Sequence, residues 1–487
     1  MNLLRILQLV ISMPPNWVFN YGALANRVTY VVNPQIPIIV TYMVPNPNGQ
    51  GGPQGDVQAV IIGNQVFFEP SVNDFSSCYN GNDCSALQAE GLDLSFLGYP
   101  YFITGGGCIS GSGSCPPTPN PSGVETCNLI INKETGEITQ LFGGALSNTL
   151  SVMADTNNGY LIIVTSTNST SADFIIAIPF SSITSILAGK IPPDAKWVIV
   201  STSDGSSLYA NQAELIDGNI YFVSNTGNGV EVFKFPLSEV YNSQCTGIPQ
   251  GYSSCTYTVN PLTSISQPVA NSGGNILTDA IKMNGVSYLI IFYPSNGNFT
   301  VILYNTEDNT YSINTFGQNI EPQFITTGIA IYNHIVLATA QQLDGTWLLY
   351  AYDPFNGKVD STTIPNVYQA VPTDNGYVVT LSNTLSSNSQ VTISIYKVLF
   401  TISPKFQNVS ITKTLNQVTV QGTLIDENSG NPLPNYPVML VAVNGVEVNT
   451  VTDFTVLATG TTDSNGNFTL TTSDTSHSFY GVVYYPS

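Results

Sequence analysis

Along almost the whole chain, short apolar runs rich in Val, Ile, Tyr and Phe alternate with turns of Gly, Asn, Ser and Pro. Apolar positions do not recur at helical spacing, so the pattern predicts many short strands. One unit recurs: an apolar strand, a Gly/Asn-type turn, then an aromatic- or Ile-rich strand. It is found at Val60–Phe68, Phe96–Ile103, Met153–Ile163, Leu215–Val223, Ile281–Ile290, Ile329–Leu337 and Ala370–Val379. A second strand pair follows most of these hairpins. Examples are Cys127-Asn-Leu-Ile-Ile with Glu137-Ile-Thr-Gln-Leu, Phe299-Thr-Val-Ile-Leu-Tyr with Thr310-Tyr-Ser-Ile-Asn, and Trp347-Leu-Leu-Tyr-Ala-Tyr with Lys358-Val-Asp-Ser-Thr.

Four strands per repeat, spaced by roughly 40–60 residues, is what a β-propeller blade requires. The expectation is an all-β chain whose residues 51–401 form a propeller of six or seven blades. A pair of β-sandwiches is the competing arrangement. The sixth unit, with Asp353-Pro-Phe-Asn-Gly between two strands, resembles the blades of WD, kelch and quinoprotein-like propellers, although their diagnostic residues are missing.

The organisation changes near Ile402. A strand ending Gly422-Thr-Leu-Ile-Asp426 leads through a turn to Pro432-Leu-Pro-Asn-Tyr-Pro-Val438, and later comes Thr461-Thr-Asp-Ser-Asn-Gly-Asn-Phe468. This series resembles the carboxypeptidase-regulatory-like or transthyretin-like domain. The resemblance implies an Ig-like β-sandwich over 402–487, used as a structural or adhesive module rather than for catalysis. Asp463-Ser-Asn-Gly-Asn467 has the look of a calcium loop. However, Phe468 stands where that loop needs Gly, and no Glu follows at the twelfth position, so it reads as a hairpin turn.

Composition changes the picture in one respect. Only 9% of residues are charged, against about 25% in ordinary soluble proteins, so Asn, Gln, Ser, Thr and Tyr must cover the surface. With 11 basic and 31 acidic residues the formal charge is −20, and no run of Lys or Arg is present to neutralise phosphates. Nucleic acid is therefore not an expected partner. Acid unfolds proteins largely by protonating carboxylates that are paired in the native state. Few carboxylates and only two histidines, His334 and His477, fit an acidic and hot setting; a neutral extracellular adhesin is the other reading.

The seven cysteines include three short-range couples, Cys78 with Cys84, Cys108 with Cys115 and Cys245 with Cys255, in loop-like stretches where disulfides staple exposed chain. Cys127 is left over in a strand-like context. Sequons at Asn168, Asn298, Asn408 and Asn467 agree with an extracellular location. The apolar start Met1-Asn-Leu-Leu-Arg-Ile-Leu-Gln-Leu-Val-Ile-Ser has no small-x-small cleavage site. Residues 1–50 are expected to anchor the chain in a partner assembly.

No catalytic motif stands out. Asp56, Glu69, Asp74, Glu125, Asp155, Asp204, Glu231, Asp344 and Asp353 share no local pattern, and His334 reads as a turn residue. The two arginines, Arg5 and Arg27, lie outside the repeats, which disfavours clamping an anionic cofactor. No enzyme activity, metal or cofactor is expected. Aromatic residues are plentiful, at 26 Tyr, 22 Phe and 3 Trp, and Tyr and Trp stack on sugar faces while their polar atoms hydrogen-bond. Tyr79, Tyr99, Tyr101, Tyr252, Trp347 and Phe355 sit in turn-like sequence and are the candidate ligand-binding residues.

In its apolar N-terminus, charge-poor propeller-like repeats and terminal Ig-type module, the chain resembles receptor-binding or tail-spike proteins of spindle-shaped archaeal viruses. That resemblance implies a homo-oligomeric virion-surface protein, bound to other virion proteins through its N-terminal segment. It would attach to host glycans or envelope proteins. The alternatives are an S-layer-associated or pilus-like envelope protein of an acidophilic archaeon, and a secreted β-propeller hydrolase.

Overall fold

The computed structural model describes residues 91–104, 150–166, 172–203 and, with short breaks, 208–484, together with six further strands. These are Leu4–Ser12, Ile38–Val44, Gly55–Ile62, Gln65–Pro70, Leu129–Asn132 and Ile138–Gln140. Strand dominates. The α-helices among the described residues are single turns at Ile183–Leu187 and Leu237–Tyr241, and none is long and apolar enough to cross a membrane.

Seven antiparallel sheets follow one another along the chain. Sheet 1 holds Ile38–Val44, Gly55–Ile62 and Gln65–Pro70. Sheet 2 holds Gly91–Asp93, Tyr101–Thr104, Leu129–Asn132 and Ile138–Gln140. Sheet 3 runs Leu150–Asp155, Tyr160–Ser166, Ala172–Pro179 and Lys196–Thr202. Sheet 4 is Glu214–Ile216, Asn219–Asn225, Val230–Pro236 and Thr263–Ile265. Sheet 5 is Leu277–Met283, Val286–Ser295, Asn298–Asn305 and Tyr311–Phe316. Sheet 6 is Thr327–Tyr332, Ile335–Gln341, Trp347–Tyr352 and Val359–Ile364. Sheet 7 is Gln369–Pro372, Tyr377–Thr384 and Gln390–Phe400, with Leu4–Ser12 as its fourth strand.

First strands of consecutive sheets touch from sheet 2 to sheet 7, and the first strand of sheet 7 touches that of sheet 1. The sheets therefore pack face to face, and each inner sheet is buried on both sides. In sheet 5, Leu289 and Ile291 join a core shared with sheet 4, whereas Ile290 and Phe292 join a core shared with sheet 6. Side chains alternate between faces along a strand. A strand covered on both faces must then be apolar at every position, which is why Tyr288–Tyr293 is an unbroken run. Each such side chain, fully buried, contributes about 1.5–3 kcal/mol.

Five of the seven sequence hairpins become the first two strands of sheets 3 to 7, and Val60–Phe68 joins the second and third strands of sheet 1. In Phe96–Ile103 only the second half is a strand: Phe96 belongs to a 3-10 turn, Leu94–Leu97, and Gly91–Asp93 is the strand that pairs with Tyr101–Thr104. Within residues 1–50 the described residues are two strands, and both join sheets of the repeats. Leu4–Ser12 pairs antiparallel with Gln390–Phe400, from Leu4 opposite Phe400 to Ser12 opposite Ser394, and Ile38–Val44 pairs with Gly55–Ile62. The physical reason is an open edge: without a fourth strand, Gln390–Phe400 would leave a row of backbone groups unpaired.

The region after residue 402 forms one three-stranded sheet and adds three strands to an eight-stranded sheet that includes sheet 3. The first contains Pro404–Lys413, Val418–Asp426 and Asn467–Thr472; the added strands are Pro437–Glu447, Thr450–Thr461 and Tyr480–Tyr484. They face each other across Val420, Leu424, Val438, Leu440, Phe468 and Leu470. This unit is not separate from the preceding sheets. Gly445, Val446 and Glu447 pair with Asp155, Ala154 and Met153, so one ladder continues into sheet 3. The Thr156 N–H donates a hydrogen bond to the Asn444 carbonyl at 3.0 Å, and its hydroxyl donates one to the Val443 carbonyl at 2.8 Å. Phe479 meets Phe96 and Phe180 edge-on at 5.9 and 6.5 Å.

Candidate functional site

Meander topology puts the turns after the first and third strands at one end of each sheet. At that end of sheet 3, Asp155 and Thr156 meet the C-terminal unit. At the same end of sheet 6, the Asp353–Lys358 turn carries Phe355, which is 37% exposed. The turn is held by its own polar groups. The Asp353 carboxylate accepts from the amides of Phe355 and Asn356 at 2.9 and 3.3 Å and from the Asn356 side-chain amide. Gly357, at φ 70°, closes the turn by donating to the Asp353 carbonyl. The same device recurs at Asp155–Gly159, where Asn158 donates twice to the Asp155 carboxylate.

The turn presents Phe355 as a fixed aromatic surface. Its ring packs edge-on against Tyr288 of sheet 5, with centroids 5.4 Å apart and planes at 75°. Such a pair adds about 0.5–1.5 kcal/mol beyond area burial, enough to bias one orientation of an exposed ring. At the corresponding end of sheet 5, Tyr311 is 43% exposed. Two residues before the Tyr311 neighbour Thr310, the Asp308 carboxylate accepts from the Thr310 hydroxyl and amide at 2.6 and 3.0 Å. Those bonds hold its pKa below the usual carboxylate value, so it is an anionic acceptor. Aromatic faces beside a hydrogen-bond acceptor are the chemistry that suits a polyhydroxylated ligand.

The other expected ligand residues are differently placed. Trp347 is not a loop aromatic: it opens a strand of sheet 6, is 2% exposed and packs with Leu349 and Phe400 between sheets 6 and 7. Tyr99 and Tyr101 are half-buried against the core between sheets 2 and 3. Tyr79 and Tyr252 lie outside the described residues. Tyr288 and Tyr311 were not among the sequence candidates. Tyr311 opens its strand directly after a turn, a position that would have flagged it, whereas Tyr288 is the third residue of Val286–Ser295 and carries no such signal.

Cys245 and Cys255 form a disulfide. The Cys245 and Cys255 carbonyls accept from Trp197 and Ile199 at 3.1 and 2.9 Å, and Thr256–Val259 then runs parallel to the last strand of sheet 3. The bridge thus seats an excursion from sheet 4 on sheet 3. Replacing both cysteines by serine should lower stability by about 2–3 kcal/mol through loop-closure entropy, measured by urea unfolding with and without reductant. Cys78, Cys84, Cys108 and Cys115 lie outside the described residues, as does Asn168. Asn408 and Asn467 are exposed, and Asn298 is half-buried at the start of a strand. In the Asp463–Asn467 turn, the Asp463 carboxylate accepts from the Asn465 and Asn467 amides, both at 2.8 Å. These bonds lower its pKa and fix a tight turn, which is not the hairpin expected: it carries the chain from Thr450–Thr461 in one sheet of the C-terminal unit to Asn467–Thr472 in the other.

Beside the C-terminal junction, Tyr241 donates to Asp155 at 2.5 Å and stacks on Tyr160 with centroids 4.6 Å apart. Burial first, and then the Asp155 charge, push the Tyr241 pKa up, so the phenol remains a donor. Among the described residues, no three His, Cys, Asp or Glu side chains gather as metal ligands would.

No protein-family model matches the chain, and no curated protein matches it significantly. Solved structures similar to it include the WD40 domain of SCAP from fission yeast, at 8% identity over 74% of each chain and a TM-score of 0.31. The WD40 domain of coronin from Toxoplasma gondii is 10% identical over 66% of this chain and 80% of its own, with a TM-score of 0.30. The SapL1 lectin, solved with alpha methyl fucoside, is 8% identical over 74% of this chain and 94% of its own, with a TM-score of 0.32. Similarity at this level fixes neither family nor function.

Proposed function

We propose that the chain is a non-enzymatic surface-binding protein built as a β-propeller, with an Ig-like C-terminal sandwich docked on one end. In this reading each of the seven sheets is a blade, and Leu4–Ser12 closes the ring by completing the last one. The ligand is a neutral surface glycan or a glycosylated envelope protein. The observation that carries the reading is Phe355, an exposed ring held by the Asp353 turn and by Tyr288. The charge-poor surface adds to it, because contacts made by hydroxyls, amides and aromatic faces survive changes of pH. Together with the N-terminal resemblance, this favours a virion spike that attaches to a host cell over a cellular envelope protein. Several copies around one axis would add avidity to weak single contacts.

The test is binding of the full chain to a glycan array and to whole archaeal cells at about pH 3 and pH 7, a range in which few groups here other than carboxylates titrate. Saturable binding should be seen at both values. Phe355→Ala should weaken it about tenfold, the effect of losing about 1.4 kcal/mol at a central aromatic contact. Binding that is unaffected by Phe355→Ala would remove this surface from the site. Absence of saturable binding would overturn the reading.

A further inference from the structure

Where the C-terminal hairpin crosses sheets 4 and 5, one lysine lies between two carboxylates. Lys282 is near the end of the first strand of sheet 5, and its Nζ is 3.0 Å from Asp217 Oδ1 and 3.1 Å from Asp453 Oδ1. Asp217 occupies the first turn of sheet 4, and Asp453 comes from the Thr450–Thr461 strand, 171 residues beyond the lysine. The Lys282 and Asp453 side chains are 12% and 8% exposed, whereas Asp217 is 43% exposed. The Phe454 ring covers the ammonium at 5.7 Å.

The two carboxyl groups differ in character. Burial is the main influence on Asp453 and, with the Asp217 charge, outweighs Lys282, so its pKa is pushed up to about 6. Burial also raises Asp217, but its polar surroundings, with the Lys282 bond and charge, overcome this and leave its pKa lowered. A pair of carboxyls whose environments separate their protonation divides into an acid and a base. Burial lowers the Lys282 pKa, but the Asp453 and Asp217 carboxylates outweigh it and leave it raised, so the group rests as an ammonium and must give a proton to Asp217 before it can attack. A lysine between a base and a largely buried carboxylic acid has the components of an acyl-transfer site.

We propose that Lys282 and Asp453 become joined by an amide bond, with Asp217 as proton carrier, so that the C-terminal sandwich is covalently fastened to sheet 5. Asp217 takes one proton from the Lys282 ammonium. The neutral Nζ attacks the Asp453 carboxylic carbon, forming the new C–N bond. The C–O bond to the former hydroxyl then breaks, and that oxygen leaves as water. Of the four protons present at the start on the ammonium and the acid, one stays on the amide nitrogen and two leave in the water. The fourth passes from Asp217 to solvent on its open side. No oxidant or co-reactant is needed. A buried ion pair bears a desolvation penalty that often exceeds its attraction, and the amide removes both charges.

The test is the intact mass of the full chain with its disulfides reduced. Wild type should be lighter than its sequence requires by one water, and a peptic digest should yield one branched peptide containing Lys282 and Asp453. Lys282→Arg and Asp453→Ala should each have their full sequence mass. Asp217→Asn, which keeps both partners, should also have its full mass. Recovery of wild type at full mass, with Lys282 and Asp453 in separate linear peptides, would overturn the proposal and leave an ion-paired triad. A water loss that maps to other residues would overturn it equally. Retention of the bond in Asp217→Asn would remove Asp217 from the mechanism.

Discussion

Replacing Asp173 with asparagine should abolish a loss of stability that the wild-type chain undergoes as pH rises from about 4 to about 8. Asp173 lies in the third strand of sheet 3, opposite Ser166 and Val200, and is completely buried. On the same face, Ile175 and Ala177 enter the core between sheets 3 and 4. Among the described residues, neither carboxyl oxygen has a hydrogen-bond partner. Burial alone raises its pKa from 3.8 to about 7. Below about pH 4 the group is protonated whether the chain is folded or unfolded, and titration changes nothing. Between those values the folded chain holds a proton that the unfolded chain has released, so stability falls as pH rises. At about 1.4 kcal/mol per pH unit, the cost above neutrality is about 4 kcal/mol.

Urea unfolding of wild type and Asp173→Asn at about pH 3, 5 and 8 checks this, since the difference between the two proteins cancels every other titrating group. The proteins should agree within about 1 kcal/mol at pH 3, where both side chains are neutral and unpaired, and the variant should be more stable at pH 8. Equal stability at pH 8 would mean that Asp173 is ionised at little cost. A second contribution has the same sign: Asp453, whose pKa is raised to about 6, also favours the folded chain on the acid side if it is not amide-bonded.

The architecture was legible in the sequence where burial is local, and illegible where it depends on distant chain. Runs such as Leu289-Ile-Ile-Phe292 announced strands covered on both faces, because every position carries core. The Cys245–Cys255 bridge was legible because it closes a short loop. The role of Leu4–Ser12 was not, because its partner Gln390–Phe400 lies at the other end of the repeats. An apolar strand that joins a sheet edge and an apolar leader look alike from sequence. The parallel pairing of Thr256–Val259 with Lys196–Thr202 is hidden for the same reason. At the candidate site, Asp353-Pro-Phe-Asn-Gly correctly placed Phe355 on a turn. Tyr288, its support, belongs to a different sheet, and only sheet-to-sheet packing brings the two together. Trp347 follows the turn residues Gly345 and Thr346, which made it look exposed, yet strand alternation turns it inward between sheets 6 and 7.

The core beneath that aromatic pair should be the most sensitive packing site. Phe299→Ala should destabilise the protein by about 3–5 kcal/mol, the range for truncating a buried Phe when the surroundings only partly collapse. Phe299 is 0% exposed at the junction of sheets 5 and 6. Its ring lies 4.8 Å from Phe292, 5.3 Å from Phe316 and 5.8 Å from Tyr350, and Phe316 stacks on Tyr352 at 4.8 Å. Rings this large, contributed by two sheets, cannot close around the void without moving both backbones, so the cavity cost should persist. Phe299→Leu should cost clearly less, because most of the volume is retained. Urea unfolding gives the magnitude, and hydrogen exchange gives the place: amides of sheets 5 and 6 should lose protection first, while the sandwich core around Val420 and Leu440 keeps its own. Because Tyr288 packs against this same core and supports Phe355, Phe299→Ala should also loosen the exposed ring without touching it. A variant that loses several kcal/mol yet shows uniform exchange across all sheets would indicate that the sheets unfold as one unit, and that the junction of sheets 5 and 6 is no weaker than the rest.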